Sequence, residues 1–180
     1  MSLPRVTEII RNSGIGPDYS QVPEAYLTAK AALGRSVHEL CSMAATGKVK
    51  IPKTEAGEYA RKFCEWIKIS GATILKTEFE VKGCMEGIGY VGHADLLFRW
   101  KGQEWIADIK TTAALYSSYG VQLAAYRAAL GPGFIRRAVL WIRKDRPAML
   151  VVDEPIIRAR DEAMWRAILI SQNWIKGAKL

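Results

Sequence analysis

The sequence predicts an α/β (α+β) domain, a central mixed β-sheet flanked by helices and preceded by a helical N-terminal cap. Three observations predict it. Residues 1–71 carry apolar residues at helical spacing between capping and breaking residues. From residue 72 the texture changes to runs of β-branched and aromatic residues. Beyond residue 112, helix and strand textures alternate, so the order is helices, three strands, helix, two strands, helix, the signature of helices layered on a sheet. At 180 residues, 49% of them apolar and 24% charged, the chain reads as one domain over 1–180, with a helical part over 1–71 and a sheet core over 72–180.

The first element, LPRVTEIIRNSG, reads as a short helix with Thr7 near its start and Gly14-Ile-Gly16-Pro17 as its stop. Pro23 occupies a first-turn position of a long helix, VPEAYLTAKAALGRSVHELCSMAATGK, that closes at Gly47. Thr54 caps the next helix, whose apolar face comprises Tyr59, Phe63, Trp66, Ile67 and Ile69 and which stops at Gly71. ATILKTEFEVK, GIGYVGHADLLFRW and EWIADIKTT are three strands, with turns near Gly83 and at Lys101-Gly102. SSYGVQLAAYRAALG returns to helix, with Ser117 or Ser118 as cap and Gly131-Pro132-Gly133 as stop. FIRRAVLWIRK and AMLVVDEP are strands around the Asp145-Arg146-Pro147 turn, and the closing helix begins at Pro155.

No apolar run reaches signal-peptide or membrane-span length, so the expected location is intracellular, in the cytoplasm of a cell or of a phage-infected host. Cys41, Cys64 and Cys84 stand singly, which argues against a disulfide framework, a structural zinc site and an iron–sulfur cluster. The net charge of +8 is uneven: residues 1–110 hold fifteen Lys/Arg against thirteen Asp/Glu, and residues 111–180 hold eleven against five. Basic clusters in the second part, Arg136-Arg137 and Arg143-Lys144 among them, point to a polyanion partner or to a merely soluble face.

Against this ordinary background, GHADLLFRWKGQEWIADIK places two carboxylates and an ammonium in strands otherwise built for burial. With a two-residue turn at Lys101-Gly102, Trp100 pairs with Gln103, and counting back sets Asp95 opposite Asp108. Facing carboxylates repel unless a cation lies between them. Strand alternation puts Lys110 on the side of Asp108, so the three side chains line one pocket. Two carboxylates suit Mg²⁺ or Mn²⁺, and a lysine beside them can serve a water nucleophile or offset charge on a phosphorus-centred transition state. The chemistry implied is phosphodiester hydrolysis. On the following helix, Gln122 and Tyr126 are four residues apart and share a face, where they reach a phosphate or hold the lysine; the plain alternative is a packed Tyr126 and a solvated Gln122.

With Asp95, Asp108-Ile109-Lys110 and Gln122-Leu-Ala-Ala-Tyr126, together with Gly34-Arg-Ser-Val-His38 on an early helix, the chain resembles the PD-(D/E)XK nuclease superfamily and its RecB-like exonuclease branch. The similarity covers residues 30–130, and LPRVTEII is similar to the openings of phage-type and mitochondrial genome-maintenance members. One departure is Ala94 in place of the proline of the superfamily's name. The resemblance implies a restriction-endonuclease-like core. It further implies metal ligation by His38, Asp95, Asp108 and the backbone carbonyl of Ile109, a catalytic Lys110, and Gln122 and Tyr126 positioning the scissile strand. Glu78 matches an acidic residue frequent in that branch, and Glu80, of the same strand parity, leaves the choice between them open. Relatives that bind an iron–sulfur cluster use cysteines after the core, and this chain has none beyond Cys84.

The expectation is therefore a minimal Mg²⁺- or Mn²⁺-dependent deoxyribonuclease domain, most simply an exonuclease acting on DNA ends or single strands. Arg35, Arg136, Arg137, Arg143 and Lys144 are candidate phosphate contacts. His93 is a candidate substrate contact or an ordinary packed histidine, and Tyr116, Tyr119 or Trp141 could stack on bases or fill the core. Rival readings are a structure-specific endonuclease, a nucleic-acid-binding module that does not cleave, and a scaffold without a nucleic-acid role.

Overall fold

The computed structural model describes residues 2–47, 49–131, 136–152 and 154–177. Its elements follow the expected order: α1 (Val6–Asn12), α2 (Glu24–Ala45), α3 (Glu55–Ser70), β1 (Thr73–Met85), β2 (Ile88–Trp100), β3 (Gln103–Lys110), α4 (Ser117–Leu130), β4 (Arg136–Trp141), β5 (Met149–Val152) and α5 (Pro155–Gly177). Lys48, the Pro132-Gly133 stop, the Phe134 start of the fourth strand and Asp153 fall outside the described residues.

Local chemistry accounts for most boundaries. Thr54 caps α3 by accepting a hydrogen bond from the Gly57 amide, and Gly71 ends it with φ 68°, a left-handed conformation favourable to glycine. The helix α4 differs from expectation, since its N-cap is Tyr116 and neither serine caps it. Ile69 leaves the expected apolar face of α3 and is 84% exposed. The turn expected near Gly83 lies instead at Glu86-Gly87, where φ is 52° and 73°, and the Lys101-Gly102 turn matches it with 49° and 72°. Paired positive φ values suit the twist of a tight hairpin. Gly83 has a different task, because a Cβ there would come within 2.4 Å of the Tyr90 ring.

The five strands form one sheet in the order β1-β2-β3-β4-β5. All neighbours run antiparallel except β3 and β4, which α4 connects as a crossover. One core lies under α2 and α3, where Val37, Phe63 and Trp66 meet Leu96, Phe98, Trp105 and Leu140. A second lies under α1, α4 and α5, where Ile9, Tyr126 and Trp165 meet Val81, Tyr90, Ala94 and Ile106. Ala94 and Leu96 are two residues apart, a spacing that keeps side chains on one face of a flat strand, yet they belong to different cores. The long β1–β2 hairpin therefore turns over at Asp95. Two irregularities accompany the turn: Glu78, whose neighbours pair across from Leu96 and Ala94, has φ 45°, and the β1–β2 register shifts between Ile74 and Lys76.

Candidate active site

Asp95 sits at this changeover. The β2–β3 ladder runs in the expected register from Trp100–Gln103 to Leu96–Ala107, one step short of Asp95 and Asp108. At that step the Asp95 carboxylate takes over, its Oδ2 accepting the Ile109 amide at 2.6 Å. Its Oδ1 lies 3.2 Å from Nδ1 of His38. That histidine reaches in from α2, whose Val37 and Cys41 are fully buried and fix the rotation of the helix. The same Nδ1 is 3.7 Å from Oε1 of Glu78. Glu80, which shares parity with Glu78 in a regular strand, instead pairs with Lys82 at 2.7 Å. The left-handed backbone at Glu78 separates the two glutamates. His38, Glu78 and Asp95 each offer a ligand atom, and these atoms lie within 4.8 Å of one another.

Asp108 belongs to an adjoining network. It is 2% exposed, and its Oδ1 accepts a hydrogen bond of 2.8 Å from Nε2 of Gln122. The same Nε2 donates to Oη of Tyr126 at 2.8 Å, while Oε1 of Gln122 lies 3.4 Å from Nζ of Lys110. Both α4 residues are buried, at 8% and 2% exposure, so the solvated alternative for Gln122 does not hold. Gly92 makes room for this arrangement, since a Cβ there would come within 2.4 Å of the Tyr126 ring. Nζ of Lys110 lies 2.5 Å from Oδ2 of Asp108 and 4.6 Å from the centre of the Tyr119 ring. That ion pair partners the buried Oδ2, so both oxygens of Asp108 are engaged, one by Lys110 and one by Gln122. His93 is exposed and lines the same cavity, but it pairs with Glu80 of β1 and not with Lys110, because β2 and β3 have parted there.

Burial pushes the Asp108 carboxyl up to about 6, with Asp95 adding to the rise and Lys110 opposing it. Burial works against the charge on His38, yet Asp95 and then Glu78 hold its pKa up at about 10. Burial likewise opposes the Lys110 ammonium, and Asp108 overrides it and raises the pKa. Burial also raises the Tyr126 hydroxyl, which therefore stays protonated at neutral pH. Three clustered carboxylates thus face two protonated bases, which offset only part of their charge. The carboxylate oxygens of Glu78 and Asp95 and the imidazole of His38 form a donor set that could hold a metal ion.

Of the expected basic contacts, Arg35 lines a cavity of about 880 Å³ that also includes His38, Glu78 and Lys110. Arg137 does not reach the surface. It is 2% exposed, donating to the Gly120 carbonyl and to Asp161 at 2.8 Å each, so it holds the fold together and offers no phosphate a partner. Arg143 pairs with Asp145 at 2.9 Å, Lys144 with Glu55 at 2.6 Å, and Arg136 donates to Gln103 at 3.0 Å. Trp141 is half-buried and donates to the Thr112 carbonyl. Arg5, Thr7 and Arg11 line the cavities around the cluster, and Tyr119 sits under Lys110. Sequence reading missed Arg5, Thr7 and Arg11 as site residues and offered Tyr119 only as a base-stacking candidate. Only the polar face of α1, opposite Val6, Ile9 and Ile10, could have signalled the first three.

No family model and no curated protein matches the sequence. Solved structures share its fold. SSO0001 is 17% identical with a TM-score of 0.51, over 96% of this chain and 77% of that one. A protein of Eubacterium rectale named "Putative exonuclease" is 10% identical with a TM-score of 0.58, over 82% of this chain and 69% of that one.

Proposed function

We propose that this chain is a divalent-metal-dependent deoxyribonuclease of the RecB-like exonuclease type, hydrolysing phosphodiester bonds at DNA ends or in single strands. One observation carries the proposal: His38, Glu78 and Asp95 converge beside a buried Asp108–Lys110 pair, and nothing in the packing of an ordinary core requires five ionisable groups there. The fold shared with the protein named "Putative exonuclease" agrees with this reading.

In this reading His38, Glu78, Asp95 and Asp108 hold Mg²⁺ or Mn²⁺, which supplies Lewis-acid charge to the phosphoryl group when bound. The chain's own residues do the remainder. Lys110, kept protonated by Asp108, presents an ammonium to the charge that builds on the non-bridging oxygens. Gln122 fixes that lysine and Asp108 in one orientation, and Tyr126 fixes Gln122 in turn. The Ile109 amide locks the Asp95 carboxylate, so one oxygen remains directed at the cluster.

The test is cleavage of end-labelled linear and circular single-stranded and duplex DNA with Mg²⁺, Mn²⁺ or EDTA, with Lys110→Ala alongside. The expected result is metal-dependent loss of linear DNA, sparing of circles, and no cleavage by the variant. Nicked circles would transfer the proposal to an endonuclease. Binding without cleavage under every metal would end the nuclease reading.

A further inference from the structure

Two openings flank the acidic cluster and share Thr7, His38 and Lys110 in their linings. The smaller, about 300 Å³, holds Asp95, Asp108, Gln122 and Tyr126. The larger runs between α1 and α2 and carries Arg11 and Arg35. The α1 wall is firmly placed: Val6, Ile9 and Ile10 are buried, Arg5 bridges to Val91, and the Val91 amide donates to the Pro4 carbonyl at 3.0 Å. Its polar face is thereby presented to the opening.

The two arginines differ from most of their kind in this chain. Arg99, Arg127, Arg143 and Arg166 each pair with a carboxylate. Arg11 and Arg35 are exposed and have neither an ion pair nor a side-chain hydrogen bond among the described residues. Glu39 and Glu78 line the same opening, yet neither makes an ion pair with Arg11 or Arg35, and Lys110 is already paired with Asp108. Unpaired guanidinium groups beside a phosphodiester-cleaving centre have a chemistry of their own, since their planar donor fork matches phosphate oxygens bidentately.

We infer that the opening between α1 and α2 is the path by which one strand of the substrate reaches the acidic cluster, with Arg11 and Arg35 each binding a backbone phosphate. The inference rests on the nuclease reading above and makes α1 part of the binding surface. It also transfers backbone contact from the basic cluster at Arg143 and Lys144, whose charges are already paired, to the N-terminal helices.

The experiment is fluorescence anisotropy of a labelled single-stranded oligonucleotide bound to the full chain in EDTA, which suppresses metal-dependent cleavage, between about 50 and 200 mM salt. Each single-strand phosphate contact contributes about 0.7 to the slope of log K against log salt, so Arg11→Ala/Arg35→Ala should flatten the slope by about 1.4. Arg143→Ala/Lys144→Ala removes the same formal charge and should leave the slope unchanged. If the first double variant keeps the full slope, or both lose the same amount, the path is wrong while the nuclease reading stands. If the unmodified chain binds no oligonucleotide in EDTA or with Ca²⁺, both readings fall together. Circular dichroism melting verifies folding, and Arg11→Gln/Arg35→Gln, which keeps polar stems, gives the same slope change should the alanine pair fail to fold.

Discussion

Lys110 resolves a local conflict, because without its ammonium Asp108 would be a buried carboxylate facing other carboxylates. Lys110→Ala should lower cleavage by at least about 10²–10³-fold, the usual loss for a preorganised donor at a developing oxyanion, measured as single-turnover rate with excess enzyme. His38 gives a second prediction. Its proton is held up to about 10 in the metal-free protein, against 6.5 for an unperturbed imidazole, and a metal ligand must be neutral. Metal binding therefore tightens as pH rises toward that value and releases about one proton, which calorimetry in buffers of different ionisation enthalpy detects. For the metal-free chain the sign is opposite: the raised pKa stabilises the fold fully below 6.5, and that stabilisation is lost as pH rises through about 10. Glu78 gives a third. Left-handed backbone costs a non-glycine residue about 1–2 kcal/mol, so Glu78→Gly should raise the melting temperature in EDTA by about 2–8 °C while weakening metal binding. No rise would mean that the conformation carries no strain. The grouping of Asp95, Asp108 and Lys110 was legible because hairpin register and strand alternation are local properties. The choice of Glu78 over Glu80 was not, since it depends on one backbone angle that alternation does not encode.

At the scale of elements, the buried Arg137–Asp161 pair ties β4 to α5, and the Arg137 bond to the Gly120 carbonyl ties both to α4, which carries Gln122 and Tyr126. Removing one partner of a buried pair strands the other charge, at a cost of about 3–5 kcal/mol. Asp161→Ala should therefore lower the urea midpoint sharply, whereas a shift of a few tenths of a kcal/mol would show the pair to be dispensable. Gly120→Ala should destabilise as well, because its Cβ would come within 2.0 Å of Oδ2 of Asp161. In the sequence Arg137 looked like half of a basic surface pair, since nothing near it reveals that the acid 24 positions later folds against it. The helices and the second hairpin were legible for the opposite reason: Thr54, Gly71 and Lys101-Gly102 act on their immediate neighbours. The first hairpin turn was misplaced because Gly83 answers to the Tyr90 ring across the strand and not to a turn.

For the whole molecule, cation binding and stability are one measurement. A ligand at a hundredfold excess over its dissociation constant stabilises by about 2.7 kcal/mol, so Mn²⁺ should raise the melting temperature of the chain and leave that of Asp95→Asn nearly unchanged. Equal shifts would place the cation elsewhere. The sheet order itself was only partly foreseeable, for the parallel β3–β4 step and the transfer of β2 between two cores arise from packing over the full chain. The same transfer bears on how copies of the protein behave together. β1, thirteen residues long, forms one border of the sheet, and among the described residues no strand pairs along its outer side. A flat border of that length invites another chain to add a strand. The register shift after Ile74, the left-handed Glu78 and the charges of Lys76, Glu80 and Lys82 interrupt it repeatedly. The distortion that aims a carboxylate at His38 thus also guards a concentrated solution of the protein against edge-to-edge aggregation.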